Sequence, residues 1–232
     1  VYCRRMRAIV YKSTGSWYTL KDEAGRFWNG RMKGVMKLDD ITSTNPVAVG
    51  DRVEADIENE GDRTAIITGI IDRHNYINRQ SPRHKHQHHI VAANLDQSML
   101  VATLIEPRTS QGFIDRFLVA SEMYHVPAVI VFNKSDIYRK KEMGKFELLK
   151  QMYETVGYQV LLVSAEKKEG MEELKKLLQD KTTLLSGHSG VGKSSLLNVI
   201  FPEINLKTSE ISGWSGKGQH TTTFAEMYDL PF

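Results

Sequence analysis

Residues 186–198 read SGHSGVGKSSLLN. Gly187-His188-Ser189-Gly190-Val191-Gly192-Lys193-Ser194 satisfies the pattern GxxxxGK[ST] in full, between an apolar run, TTLLS, and a helical pattern, SSLLNVIF. Glycines let backbone N–H groups turn inward around phosphate oxygens, and the helix that follows adds positive potential at its N-terminus. Gly187 through Ser195 are therefore the candidate phosphate-binding residues, with Lys193 expected at the β- and γ-phosphates and Ser194 on Mg²⁺. Such a loop normally opens a nucleotide domain, yet only about three dozen residues follow it here. The rest of the site has to lie upstream.

Upstream, VIVFNKSD places Asn133-Lys134-Ser135-Asp136 straight after a buried-strand pattern. NKxD resembles the guanine-reading motif of GTPases, and the physics suits it. Guanine offers two neighbouring donors, N1–H and the N2 amine, and the Asp136 carboxylate can accept both. Adenine has neither, so a site built on that carboxylate discriminates strongly. Asn133 would hold the loop and the Lys134 stem would lie on the base. One strand–helix unit later, LLVSAEK carries Ser164-Ala165, which resembles the short backbone segment that contacts guanine O6 in GTPases.

The runs SMLVATLI, PAVIVF, YQVLLV and TTLLS are compact and apolar, as buried parallel strands should be. Helical patterns at about 112–125, 138–156 and 170–180 separate them. Strand–helix alternation predicts a parallel α/β sheet. Each motif sits at the C-terminal end of a predicted strand, the rim where open α/β sheets bind ligands. The base-reading elements precede the phosphate loop, so the order is circularly permuted. Such a permutation is tolerable when the original termini lie close together on the surface.

Before residue 72 the character differs. RAIVYK, SWYTLK, RFWNGR, GVMKL, DRVEADIE and TAIITGII are short β-type runs broken by Gly, Asn and Asp. They predict a five-stranded OB-type barrel, a fold that often binds oligonucleotides, against the alternative of a purely structural β-domain. Residues 73–90, RHNYINRQSPRHKHQHHI, contain no acidic residue. His84, His86, His88 and His89 suggest a metal. The segment reads instead as a basic link, with Arg79, Arg83 and Lys85 as candidate RNA or phosphate contacts. The expected organisation is thus an RNA-binding barrel over 1–72, a link over 73–90 and a nucleotide domain over 91–232.

The 232 residues carry 31 Lys and Arg against 28 Asp and Glu, a net charge of +3 that permits an anionic partner without requiring one. The single cysteine, Cys3, excludes an internal disulfide and a cysteine-rich zinc site within this chain. No apolar run approaches the roughly 18 residues of a membrane span, and the N-terminus is a poor signal peptide. The expectation is a cytoplasmic protein without membrane contact.

Near the end, GKGQHTTTF offers switch residues. A switch threonine in GTPases binds Mg²⁺ and senses the γ-phosphate. Thr222 is the choice among Thr221, Thr222 and Thr223. The Gly- and Ser-rich run before it suits a segment that orders around phosphate. His220 either orients the attacking water or faces solvent or RNA. Asp229-Leu230-Pro231-Phe232 lacks the glycine of a second-switch DxxG, and EMYDL reads as an exposed strand of a hairpin. The chain is expected to stop before that motif.

A barrel followed by NKSD, SA, GHSGVGKSS and HTTT in permuted order resembles the RsgA (YjeQ/YloQ) family of bacterial, small-subunit-dependent GTPases. The resemblance implies an α/β P-loop GTPase domain, circularly permuted, behind an OB-fold barrel. It further implies GTP as substrate, GDP as product, Mg²⁺ as cofactor, the 30S subunit and 16S rRNA as partners, and action as a monomer. His220 would be the catalytic histidine, with Lys193 stabilising the transferring phosphate. Zn²⁺ is expected only in a C-terminal domain outside this chain. The competing readings are a guanine-nucleotide-regulated RNA-binding module with negligible hydrolysis, and an ATP-using P-loop enzyme.

Overall fold

The computed structural model describes residues 4–32, 46–80, 88–206 and 225–232. It divides into two compact units, Val1–Leu95 with Thr222–Asp229, and Asp96–Thr221 with Leu230–Phe232.

In the first unit, β1 (Arg5–Ser13), β2 (Tyr18–Asp22), β3 (Phe27–Met32), β4 (Arg52–Asn59) and β5 (Thr64–Ile70) form a closed barrel in the order β1-β2-β3-β5-β4. Only the β3–β5 contact is parallel. This is a five-stranded OB-type barrel. Period-2 alternation sends Val10, Leu20, Trp28, Val53, Ala55, Ala65 and Ile67 inward, and they pack as one core. Five of the six β-type runs read from the sequence are these strands; GVMKL lies outside the described residues.

The turn between β2 and β3 is built by Asp22. Its carboxylate accepts the amides of Ala24 (3.0 Å) and Arg26 (2.8 Å), Arg26 Nε (2.9 Å) and the Trp28 indole N–H (2.9 Å). A buried ion pair braces the barrel elsewhere. Asp51, fully buried, takes Arg73 Nε at 2.6 Å and Nη2 at 2.7 Å, while its Oδ2 also accepts Ala48 N at 2.8 Å. Such bonds satisfy charges that would otherwise be costly to bury.

Within 73–90, expected as a link, the described residues include paired strands. β6 (Tyr76–Gln80) and β7 (His88–Ala93) pair antiparallel, with a bulge between Ile77 and Asn78. The ribbon is anchored by a parallel bridge, Val49 to Ala92, and by Asn94 Nδ2 donating to Gly50 O at 2.9 Å. Polar residues reach into these strands, YINRQ and HHIVAA, because a two-stranded ribbon is held by backbone pairing together with a short apolar face, here Ile90, Ala92 and Ala93. The run EMYDL also differs from expectation. β1 pairs with β4 through Ile9, and Val10 still exchanges backbone bonds with Gly50 and Asp51, so its edge is open only beyond Val10. There Lys12 bridges antiparallel to Glu226, and Met227 N donates to Tyr11 O at 2.7 Å. The segment adds to the barrel edge rather than forming a hairpin of its own among the described residues.

The second unit is a sheet of four parallel strands in the order β10-β9-β8-β11: β8 (Gln97–Ala102), β9 (Ala128–Phe132), β10 (Gln159–Leu162) and β11 (Thr183–Ser186). Every residue of β8 is buried, as expected for a central strand covered on both faces. Met99 and Val101 face one core with α3 (Met171–Leu178) and α4 (Lys193–Ile200). Leu100 and Ala102 face the other, with α1 (Gln111–Met123) and α2 (Lys140–Thr155). The chain runs outward from β8 through β9 to β10, then returns to β11 on the far side of β8. That reversal opens a crevice at the C-terminal ends of β8 and β11, the usual ligand position in such sheets.

Candidate functional site

The phosphate loop follows β11 and is shaped by close backbone approach. Gly187 has φ +144°, and a Cβ there would lie 2.3 Å from Val101 O. Gly192 has φ +92°, and a Cβ would lie 2.3 Å from Asn133 Nδ2. Only glycine fits either position. Gly190 also has positive φ, and Val191 is fully buried in the core beneath the loop. Lys193 folds over the loop, its ammonium donating to Gly187 O (2.9 Å) and His188 O (2.8 Å). Burial lowers its pKa below the ordinary lysine value. Ser194 and Ser195 form the next positions of α4, half-buried. Ser189 lies within the loop, also half-buried. The His188 ring stacks on Phe113 of α1, centroids 3.9 Å apart at 32°. Burial, then the nearby Lys193 charge, pushes the imidazole pKa down, towards the neutral form.

Asn133 joins the motifs. It is buried at the end of β9, and its side-chain amide donates to Val191 O in the phosphate loop at 2.9 Å. Its side-chain carbonyl accepts Ala165 N at 3.1 Å. Asparagine suits this place because it carries a donor and an acceptor on one short, rigid group. Ser164, fully buried, donates its hydroxyl to Asp136 Oδ1 at 2.5 Å and accepts Lys167 N at 3.0 Å. The carboxylate of Asp136 is thereby held by the Ser164-Ala165 segment. Lys134 sits in a left-handed conformation, and its ammonium donates to Glu106 O in the segment after β8. Burial lowers its pKa, against the opposing charges of Glu106 and Asp136.

The sheet thus brings together Asn133, Lys134, Asp136, Ser164, Ala165 and the loop Gly187–Ser195. Thr222 and His220 lie outside the described residues, as do Arg83 and Lys85. Arg79 lies in β6 of the barrel unit. Among the described residues there is no group of three or more His, Cys, Asp or Glu able to hold a metal ion, and no helix long and apolar enough to cross a membrane. The sequence reading missed Phe113 and Glu106. Both contacts join residues far apart in the chain, and neither residue carries a motif of its own.

Fold and site together define a P-loop α/β nucleotide domain whose base-reading elements come before its phosphate loop, behind a five-stranded barrel. The family model of the RsgA GTPase matches residues 70–232, and that of the RsgA N-terminal domain matches residues 8–67. The small ribosomal subunit biogenesis GTPase RsgA of Flavobacterium psychrophilum is 49% identical over 228 residues, covering 98% of this chain and 70% of that protein. Its counterpart in Cytophaga hutchinsonii is 52% identical over 225 residues, covering 97% and 73%. The crystal structure of YjeQ from Thermotoga maritima superposes with a TM-score of 0.70 at 33% identity, over 93% of this chain and 73% of that one. That of YloQ, described as a circularly permuted GTPase, gives 0.63 at 29% identity, over 86% and 66%. The chain belongs to the RsgA GTPase family.

Proposed function

We propose that this chain binds guanine nucleotide, hydrolyses GTP and acts in maturation of the 30S ribosomal subunit. The supporting observation is the Asn133 side chain, which ties the phosphate loop at Val191 to the Ser164-Ala165 segment at Ala165. One nucleotide gripped at both ends is the simplest use of such a tie. The curated relatives above are named for small-subunit biogenesis, which supplies the cellular role.

In this reading Asp136 accepts the two donors of guanine, the Lys134 stem covers the base, and Ala165 contacts O6. The amides of Gly187–Ser195 and the N-terminus of α4 cradle the phosphates. Lys193, partly stripped of water and compensated by two neutral carbonyls, gains strongly from phosphate oxygens. Mg²⁺ fits this donor set. The ion keeps several waters and takes phosphate oxygens plus one or two protein oxygens, so it needs no cage of carboxylates. Ser194 and Thr222 are the residues that would hold it, and when bound it neutralises charge developing between the β- and γ-phosphates. His220 orients the attacking water. The barrel, with Arg79, Arg83 and Lys85, contacts 16S rRNA, and the protein works as a cytoplasmic monomer.

The experiment is GTP hydrolysis with and without small subunits, on wild type and His220→Ala. The expected result is slow intrinsic turnover, stimulation by subunits, and loss of stimulation in the variant with nucleotide affinity retained. Equal rates with and without subunits would remove the ribosome from the mechanism. Competition between GTP and ATP on wild type and Asp136→Asn tests the base assignment; a wild-type preference for ATP would overturn it.

A further inference from the structure

Tyr138 lies two residues past Asp136, where the short 3₁₀ turn Ser135–Ile137 ends. Its ring packs against the core shared by α1 and α2. Its hydroxyl donates to the main-chain carbonyl of Asn133 at 2.7 Å and accepts the amide of Leu104 at 3.0 Å. The first bond closes a staple around Lys134, Ser135 and Asp136. The second fastens that loop to the segment following β8. Lys134 makes an independent link to the same segment through Glu106 O. The segment is itself braced, with Thr103 N donating to Thr109 Oγ1 at 3.1 Å and Thr109 N to Thr103 O at 2.8 Å. Burial drives the Tyr138 phenol up to about 12, so the hydroxyl keeps its proton, and its role as donor, throughout the neutral range.

We propose that Tyr138 is a positioning residue for guanine selectivity: its hydroxyl fixes the loop Asn133–Asp136 against the segment after β8, so that Asp136 meets both donors of the guanine edge. The proposal rests on the reading of Asp136 as the base-recognising carboxylate. That carboxylate is held from one side by Ser164 Oγ at 2.5 Å. The Tyr138 staple holds the chain on the other side. Two donors on one rigid base edge must be met at a fixed spacing and angle, and hydrogen bonds weaken steeply off axis. A loop freed to rotate meets one donor at the expense of the other, and we assign the loss to the N2 amine at the outer edge of the base. Tyr138 touches no base itself; it acts through Asp136.

Tyr138→Phe removes the hydroxyl and leaves the ring. Hypoxanthine is guanine without the N2 amine, so the ratio of GDP to IDP affinity reads the second contact alone. Fluorescent-nucleotide competition on the full chain is expected to give a clear wild-type preference for GDP over IDP. In the variant, GDP affinity is expected to fall about tenfold, equivalent to about 1.4 kcal/mol. IDP affinity should change by less than about threefold on the same grounds, so the ratio collapses. An unchanged ratio, with both affinities intact or both weakened equally, overturns the proposal, because a purely structural role predicts that pattern. A wild type that binds ADP as well as GDP removes the base-reading assignment itself, a result distinct from the variant arm, and the proposal falls with it. Hydrogen exchange gives a second measurement that needs no nucleotide. The Leu104 amide is expected to lose protection in the variant while the Asn133 amide, bonded to Ala102 O at 2.9 Å, keeps it. Leu104 protection equal to wild type would also overturn the proposal.

Discussion

A single side-chain amide, that of Asn133, satisfies a carbonyl in the phosphate loop and an amide in the Ser164-Ala165 segment. Removing it leaves the buried Val191 carbonyl unpaired, which costs about 1–3 kcal/mol, and frees the half-buried Ala165 amide as well. Asn133→Ala is therefore expected to weaken GDP binding by at least about tenfold. It should also lower the melting temperature, both read from one titration and one thermal scan. Gly192→Ala reaches the same point from the other side. Its new Cβ would lie 2.3 Å from Asn133 Nδ2 at a φ of +92°, so both the tie and the loop conformation are lost. Nucleotide binding below detection is the expected outcome. Gly144→Ala is the control: its Cβ meets nothing within 4 Å, and it sits inside α2. There alanine should stabilise the helix by about 0.5–1 kcal/mol, leaving binding unchanged.

Among the elements, the β2–β3 turn shows how one carboxylate can organise a hairpin. Burial alone would raise the Asp22 pKa. The Trp28 indole, the Arg26 amide and the Arg26 guanidinium outweigh it and hold the carboxyl below its ordinary value. A carboxyl whose pKa falls on folding stabilises the fold above its unfolded pKa of about 3.9. That stabilisation is lost as pH falls through the lower folded value. Asp22→Asn is expected to reduce barrel stability at pH 7 and to flatten its loss as pH falls below about 4. Denaturant unfolding followed by tryptophan fluorescence checks this; parallel pH curves for wild type and variant would contradict it. The edge of β1 makes a related point. Tyr11 donates to Asp229 Oδ1 at 2.7 Å, Lys21 pairs with the same carboxylate, and Lys12 meets Glu226 at 3.1 Å. An unpaired strand end has been covered by backbone and charge together, which is how edges are kept from pairing with other chains.

Across both units, the described residues form one core inside the barrel and two on the faces of the parallel sheet. Each unit has its own core, so each is expected to unfold as a cooperative block. Calorimetry is expected to resolve two transitions. GDP should raise the transition of the unit Asp96–Thr221, by about 4 kcal/mol of added stability at a thousandfold excess over Kd. The barrel transition should stay in place. A single transition moving as one would contradict this.

Much of this was readable along the chain. GHSGVGKS, NKSD and SA are short, contiguous and chemically demanding, so residue type alone announces them. The four parallel strands show as apolar runs, most plainly β8 and β9, which are buried along most of their length, and the OB barrel shows in its period-2 runs. Other features were hidden. The ribbon of β6 and β7 is hidden because its polar positions, Asn78, Arg79, Gln80, His88 and His89, enter strands through backbone pairing. The docking of Met227 on Tyr11 depends on where the pairing partner of β1 happens to begin, at Gly50–Arg52. The meeting of Asn133 with Val191, of Lys134 with Glu106, and of His188 with Phe113 joins positions dozens of residues apart. No local pattern encodes such contacts, because only the stacking of β10, β9, β8 and β11 brings their strand ends to one rim.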